Sequence, residues 1–328
     1  MTQRENTTLS IVVPVYNGAL SLRELVDGLA AVLPTIASQY EVILVNDGSR
    51  DDSWRVITEL AAERPWVRGF DLMRNYGQHS ALLCGIRAAR YDLIATMDDD
   101  LQHPPSELPK LLARLNEGFD VVYGTPLRQQ HGFWRDLASE LTKIALQSSM
   151  GVEVARNVSA FRIFRTPLRA AFDNYQGSYI SIDVLLTWAT TRFAAIAVRH
   201  DERKYGASNY TFRKLTRHAL NMITGFTVIP LQLASIIGFV FTAFGVLVFI
   251  YVVGRYLIEG TTVAGFPFLA SIIAIFSGAQ LFALGIIGEY LARMHFRLMD
   301  RPAYVVRREA RDEQEEARPT EPSRERTV

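Results

Sequence analysis

Apolar runs alternate with amphipathic segments along the first 125 residues. "LSIVVPVY", "YEVILVND", "VRGFDLM", "DLIATMD" and "DVVYGT" are rich in Val and Ile, are flanked by turn residues, and predict strands. Between them "LRELVDGLAAVL", "DSWRVITELAAE", "HSALLCGIRAAR" and "SELPKLLARLNEG" carry apolar residues at helical spacing. Strand–helix alternation over residues 8 to 125 predicts an α/β domain, a mainly parallel sheet with helices on both faces. "NVSAFRIFR" and "FAAIAVRHDER" predict further strands, which extends the domain to about residue 208. Ligands of such sheets bind outside the carboxyl ends of the strands. That rim receives the loops "VYNGA", "VNDGSRDD", "RNYGQH" and "MDDDLQHPP".

The pattern then changes. Residues 209–227, within "NYTFRKLTRHALNMITGF", mix basic and apolar positions and predict an amphipathic helix lying on a membrane surface. His218 to Gly254 and Gly260 to Gly288 contain no Asp, Glu, Lys or Arg. Each exceeds the roughly 20 apolar residues a spanning helix needs, so spans are expected at 228–257 and 264–292. Arg199, Arg203, Lys204, Arg213, Lys214 and Arg217 precede the first, and Arg293, Arg297, Arg301, Arg307 and Arg308 follow the second. By the positive-inside tendency both ends face the cytoplasm, in a plasma or inner membrane crossed twice. Residues 293–328 form a cytoplasmic tail, and its charged part after about 308 is expected to be disordered.

Composition narrows the chemistry. Lys plus Arg number 35 against 34 for Asp plus Glu, which argues against a nucleic-acid partner held by a basic field. The single cysteine, Cys84, rules out a disulfide framework or a cysteine zinc cluster within one chain, and reads as a small buried apolar residue. The start lacks the basic flank and apolar core of a secretory signal. His79, His103, His131, His200, His218 and His295 show no metal-ligand spacing and read as surface or cap residues. No G-x-x-x-x-G-K-[ST] is present.

"IATMDDDLQHPP" is the unusual stretch, because Asp98, Asp99 and Asp100 follow a predicted strand directly. Mg²⁺ binds through one or two carboxylates, waters and substrate phosphates, so a cation and a diphosphate would neutralise this rim. In an extended chain Asp98, Asp100 and Gln102 share one side and Asp99 the other, which makes the first three the metal-side set. A solvated acidic loop is the alternative. Asp47 in "VNDGS" also ends a strand, where a carboxylate either accepts hydrogen bonds from a base or ribose or closes an Asx turn.

"IVVPVYN", "VNDGS", "RNYGQHSA" and "MDDDLQHPP", in that order, resemble the family 2 glycosyltransferases with the Rossmann-like GT-A fold. The two C-terminal spans and "RKYGASNYTF" resemble its polyprenyl-phosphate branch, which holds dolichol-phosphate mannose synthases, bactoprenol glucosyltransferases and undecaprenyl-phosphate aminoarabinose transferases. The resemblance covers residues 8 to 308. It implies that Pro14, Tyr16 and Asp47 line the base and ribose pocket, with Arg74 and Gly77 beside the nucleotide. Asp98, Asp100 and Gln102 would hold Mg²⁺ or Mn²⁺ against the donor diphosphate. Arg203, Lys204 and Ser208 correspond to a loop that closes on the diphosphate or grips the acceptor phosphate, and Arg128 and Arg135 are candidates for the lipid phosphate. Family members often carry an acidic residue after the first strand, where this chain has Gly18.

The implied reaction moves a sugar from a nucleotide donor, UDP by resemblance, to a polyprenyl phosphate with inversion. A homo-oligomer and a separate flippase are compatible partners. The competing readings are a glycan synthase with Asp183 as base for a hydroxyl acceptor, and a non-catalytic membrane scaffold. Asp183 itself reads first as a helix N-terminal acid beside the macrodipole.

Overall fold

The computed structural model describes residues 7–126, 158–176, 180–201, 204, 229–259, 266–299 and 301–310. The chain divides into two compact units: residues 1–136, 146–210 and 302–328 form one, and 137–145 with 211–301 the other.

The first unit is built on an eight-stranded sheet in the order β7-β5-β6-β4-β1-β2-β3-β8. Strands β1 (Thr8–Val15), β2 (Gln39–Asn46), β3 (Val67–Leu72) and β4 (Leu93–Thr96) are mutually parallel. Strand β5 (Val121–Pro126) and β7 (Phe193–Val198) are parallel to each other, while β6 (Arg162–Arg165) runs antiparallel between β4 and β5. The sheet is therefore mixed. Its central strands are buried on both faces, which explains why they read as continuous Val/Ile/Leu runs rather than as alternating ones.

Helices α1 (Leu22–Ile36), α2 (Ser53–Glu63), α3 (Gln78–Ala88) and α4 (Leu108–Asn116) follow β1 to β4 in turn. Leu22, Leu25, Val26, Leu29 and Leu33 of α1 fall on one face at spacings of three and four, and all are fully buried. Helix α5 (Ile182–Ala189) precedes β7. The last strand, β8 (Val306–Glu309), pairs antiparallel with β3, and Ala310 after it is fully buried. The charged sequence of this segment predicts no strand; residues from 311 onward lie outside the described ones.

In the second unit, α6 (Ile229–Glu259) and α7 (Phe266–Leu298) are each long and apolar enough to cross a membrane, over Pro230–Ile258 and Ile275–His295. They pack on each other through Phe276, whose ring meets Phe241 edge-on at 5.5 Å. Glu289 and Arg293 near the end of α7 form an i,i+4 pair at 2.7 Å. The amphipathic helix expected over 209–227 lies outside the described residues.

Candidate active site

The parallel strands β1 to β4 deliver four loops to one rim, and side chains bond each loop to the next. From the β1 loop, the backbone N–H of Asn17 donates to Ser49 Oγ at 3.0 Å and that of Gly18 to Ser53 Oγ at 3.0 Å. Asn17 Oδ1 accepts from the Arg50 N–H at 2.8 Å in return. The β2 loop joins the β3 loop through Asp47, which accepts from the backbone N–H groups of Tyr76 (2.7 Å) and Gly77 (2.8 Å). Gly48 (φ 63°) lets these two loops touch, since a Cβ there would lie 2.5 Å from Asn75 N. Gln78, opening α3, donates to Asp98 Oδ1 at 2.7 Å. Asp99 closes the ring: a Cβ on Gly18 would fall 2.1 Å from its Oδ2.

Pro14 sits in β1 opposite Val45, and its missing donor comes where it does no harm. The β1–β4 ladder ends at Val12↔Thr96, so the two strands have already parted there. Tyr16, one step past the strand, is 43 % exposed. Arg74 is exposed and stacks over Tyr76, its guanidinium carbon 4.5 Å from the ring centroid. Gly77 is the residue before α3. Asp47 is only 2 % exposed with its carboxylate committed to two amides, so in this state it anchors the β3 loop. Burial raises its pKa from the ordinary value, opposed by those amides.

The acidic loop departs from the expected extended chain. Strand β4 stops at Thr96, Asp99 and Asp100 lie in a turn, and Leu101 has φ 61°. The strand alternation invoked for Asp98, Asp100 and Gln102 therefore does not hold, but the division of labour reappears by another route. Asp99 folds inward against Gly18, with its Oδ2 buried and without a hydrogen-bond partner. Burial, then the neighbouring charges of Asp98 and Asp100, push its carboxyl up to about 7. The middle aspartate thus places a carboxyl group directly beside Gly18.

Gln102 contacts the strand-following segment after β7: its Nε2 lies 3.2 Å from His200 Nε2, and its carbonyl accepts from the Asp201 N–H at 2.8 Å. His200 Nδ1 lies 3.4 Å from His103 Nε2, and His103 stacks on Phe161 with centroids 5.2 Å apart. Burial first, and the His200 charge second, lower the His103 pKa to about 4, so His103 is neutral at physiological pH. The sequence predicts surface or cap positions for both histidines. His200 is exposed, as that reading has it, while His103 is partly buried against Phe161 beside the acidic loop, and no spacing joins side chains 97 residues apart.

Lys204 forms an ion pair with Glu24 at the start of α1. Arg128, Arg135, Arg203 and Ser208 lie outside the described residues. Asp183 stands in the first turn of α5, as expected of a helix N-terminal acid. Its main partner is Arg162, which is 1 % exposed and pairs with it, and Tyr123 Oη donates to it at 3.0 Å. Arg162 Nε also donates to Thr96 Oγ1 at 3.0 Å, which ties this cluster to the strand end below Asp98.

The donor set suits a hard divalent cation. Two half-buried carboxylates and an amide side chain offer oxygen ligands, and among the described residues no three His, Cys, Asp or Glu side chains make a cage. An ion that retains waters and takes phosphate oxygens needs no cage.

Residues 10–172 match the family Glycosyl transferase family 2. Over 306 residues, 92 % of its length, the chain is 36 % identical to the undecaprenyl-phosphate 4-deoxy-4-formamido-L-arabinose transferase of Klebsiella pneumoniae and covers 94 % of it. The chain belongs to glycosyl transferase family 2. The Shewanella sediminis transferase of the same name is 37 % identical, with 91 % of each chain covered. Among solved structures, Mycobacterium tuberculosis glucosyl-3-phosphoglycerate synthase, in complex with Mn²⁺, UDP and phosphoglyceric acid, superposes with a TM-score of 0.50 at 18 % identity. That match covers 67 % of this chain and 77 % of the synthase, and it shows the GT-A fold of this family 2 glycosyltransferase.

Proposed function

We propose that this glycosyltransferase moves a sugar from a nucleotide donor to the phosphate of undecaprenyl phosphate or a close polyprenyl relative. The observation that carries the reading is similarity over 92 % of the chain, apolar helices included, to transferases named for that acceptor. UDP is the nucleotide of choice, and 4-deoxy-4-formamido-L-arabinose heads the sugars to be tested. The two apolar helices anchor the enzyme by crossing the membrane twice, with both termini in the cytoplasm. A charged sugar-lipid made on that face calls for a separate flippase.

In this reading the ring of rim loops holds the nucleotide, with Tyr16 and Arg74 facing it from the β1 and β3 loops. Asp98, Asp100 and Gln102 would hold Mg²⁺ or Mn²⁺, which when bound offsets the negative charge of the diphosphate. An oxygen of the lipid phosphate forms the new bond at the anomeric carbon, and the bond to the donor diphosphate breaks with its electron pair. Inversion follows from a single displacement. The attacking phosphate is already ionised near neutral pH, so no side chain has to take a proton. The structure of Asp183 agrees with this, because its carboxylate is engaged by Arg162 and Tyr123 rather than held ready as a base. Arg203, Ser208, Arg128 and Arg135 are proposed for the phosphates.

The test is nucleoside diphosphate release by the purified protein with Mg²⁺ and undecaprenyl phosphate across a panel of UDP- and GDP-sugars. Release from one donor that depends on the lipid phosphate is expected. Release that needs a sugar hydroxyl acceptor instead would overturn the reading.

A further inference from the structure

The segment Tyr304–Ala310, which follows the second apolar helix in sequence, is bound to the nucleotide-side loop at three levels. Its strand β8 is the edge strand beside β3, and just beyond β3 the Met73 N–H donates to the Val305 carbonyl at 2.9 Å. The Arg307 guanidinium donates to the Met73 carbonyl at 2.9 Å, so both backbone groups of the residue before Arg74 are held by this strap. Arg307 and Arg308 also flank the carboxylate of Asp71, with Arg308 Nε at 3.2 Å and Arg307 at 3.7 Å. Asp71 is 3 % exposed, and its other oxygen accepts from Asn46 Nδ2 at 2.7 Å, next to Asp47. Tyr304 reaches α3, whose Arg87 guanidinium lies 5.7 Å from its ring. The loop 73–77 is thus bracketed: β3 before it and α3 after it both contact the strap. Farther along, Glu309 holds buried Arg68 at 3.1 Å, which fixes the register of β8 on the sheet.

A strap that merely covered a sheet edge would need only the β3 ladder and an ion pair with it. Here the contacts run from Arg68 and Gly69 at the start of β3 past its end to Met73, the residue before Arg74 in the loop whose Tyr76 and Gly77 amides Asp47 holds. We infer that Arg307 and Arg308 are positioning residues for the nucleotide: through Asp71 and Met73 they set the β3 loop that presents Arg74, and so make donor binding depend on the segment after the second apolar helix. The inference rests on the proposed nucleotide site and adds to it a control element outside the family match at residues 10–172. It places a second set of cations at the site's outer margin, where they act on protein groups and not on phosphate.

The test uses the full-length protein in detergent, as wild type, Arg307→Ala, Arg308→Ala and Arg307→Lys, with Arg55→Ala on α2 as a surface control. Hydrogen exchange in the absence of ligand is expected to quicken by roughly tenfold at the Tyr76 and Gly77 amides in the two alanine variants, with peptides from β1 and α1 unchanged. Titration with UDP and Mn²⁺ should show affinity weakened about three- to tenfold in those variants, partly restored in Arg307→Lys, and unaltered in Arg55→Ala. For the sugar donor that turns over, KM should rise while kcat holds within about twofold. Unchanged exchange in the loop, or a loosened loop with unchanged UDP affinity, overturns the inference. A wild type that binds no UDP refutes the nucleotide reading instead, and the exchange data then judge the strap on their own.

Discussion

Replacing Asp183 by Asn distinguishes a phosphate acceptor from a hydroxyl acceptor in one protein. The substitution keeps the shape of the side chain and the oxygen that accepts from Tyr123, and it removes the charge opposite Arg162. Arg162 is 1 % exposed, so its guanidinium would remain buried with Thr96 Oγ1 and a neutral amide as partners. Breaking a buried ion pair by removing one partner costs about 3–5 kcal/mol, and the retained hydrogen bonds favour the lower end. For a domain of this size, 1 kcal/mol moves the melting temperature by roughly 2–4 °C, so a fall of about 6–12 °C is expected. Tryptophan fluorescence follows the transition, while turnover is measured at about 10 °C and normalised to the folded fraction. Turnover per folded molecule should stay within about threefold of wild type, because a base is not required. Adding Arg162→Met should recover at least half of the lost stability, since removal of both charges leaves neither one stranded. The reasoning fails if Asp183→Asn melts like wild type yet loses turnover by roughly 10³-fold, the signature of a general base.

Other expected outcomes follow from the same geometry. Asp100→Asn should leave the unfolding transition in place and lower turnover by roughly 10²–10³-fold or more, and a chelator should do likewise to wild type; undiminished activity in either case removes the metal role. Gly18→Ala forces Asp99 out of the space it fills at 2.1 Å and should destabilise by about 1–3 kcal/mol, and Gly18→Ala with Asp99→Ala should melt higher than the single variant. Burial pushes the Cys84 thiol up to about 12, against an ordinary value near 9.0, so its thiolate fraction at pH 8 falls about a thousandfold. Iodoacetamide should therefore spare native Cys84 and label it in denaturant. Because the unfolded thiol ionises first, this group lowers stability as pH rises from about 9 towards 12.

The strands were legible because those buried on both faces must be apolar at every position, and "IVVPV" and "EVILVN" fold that way. The rim was legible for a related reason: parallel connections bring the ends of β1 to β4 together whatever the loops contain. Features made by contacts distant in sequence were not. Strand β8 reads "VRRE", and it becomes a strand only because Asp71 and Arg68 on the sheet offset its charges. The antiparallel direction of β6 is invisible in "RIFR", and Arg162 within it meets an aspartate 21 residues later that no periodicity links to it. Gly18 looked like a lost contact; its use shows only when Asp99 arrives from the fourth strand.

Three adjacent aspartates at a sheet rim repel one another, and the fold handles them unequally. Asp98 is bonded by Gln78, and Asp100 accepts the Gln102 N–H at 3.1 Å, so both remain half-buried at the mouth. Asp99 is turned under Gly18, where burial first and the charges of Asp98 and Asp100 second push its carboxyl up to about 7. Placing one carboxylate inside lets it link the β4 loop to the β1 loop, and that link completes a ring in which every loop holds its neighbour. A ring closed without ligand is preorganised, so little of the binding energy has to be spent on ordering these four loops. Two elements outside the ring also bear on it: the segment after β7 that meets Gln102, and the strap that grips Met73. The strap is held through Met73 and Asp71 and the segment after β7 through Gln102 and His103, so substitutions at Arg307, Arg308 or His200 can retune the site without removing a rim carboxylate.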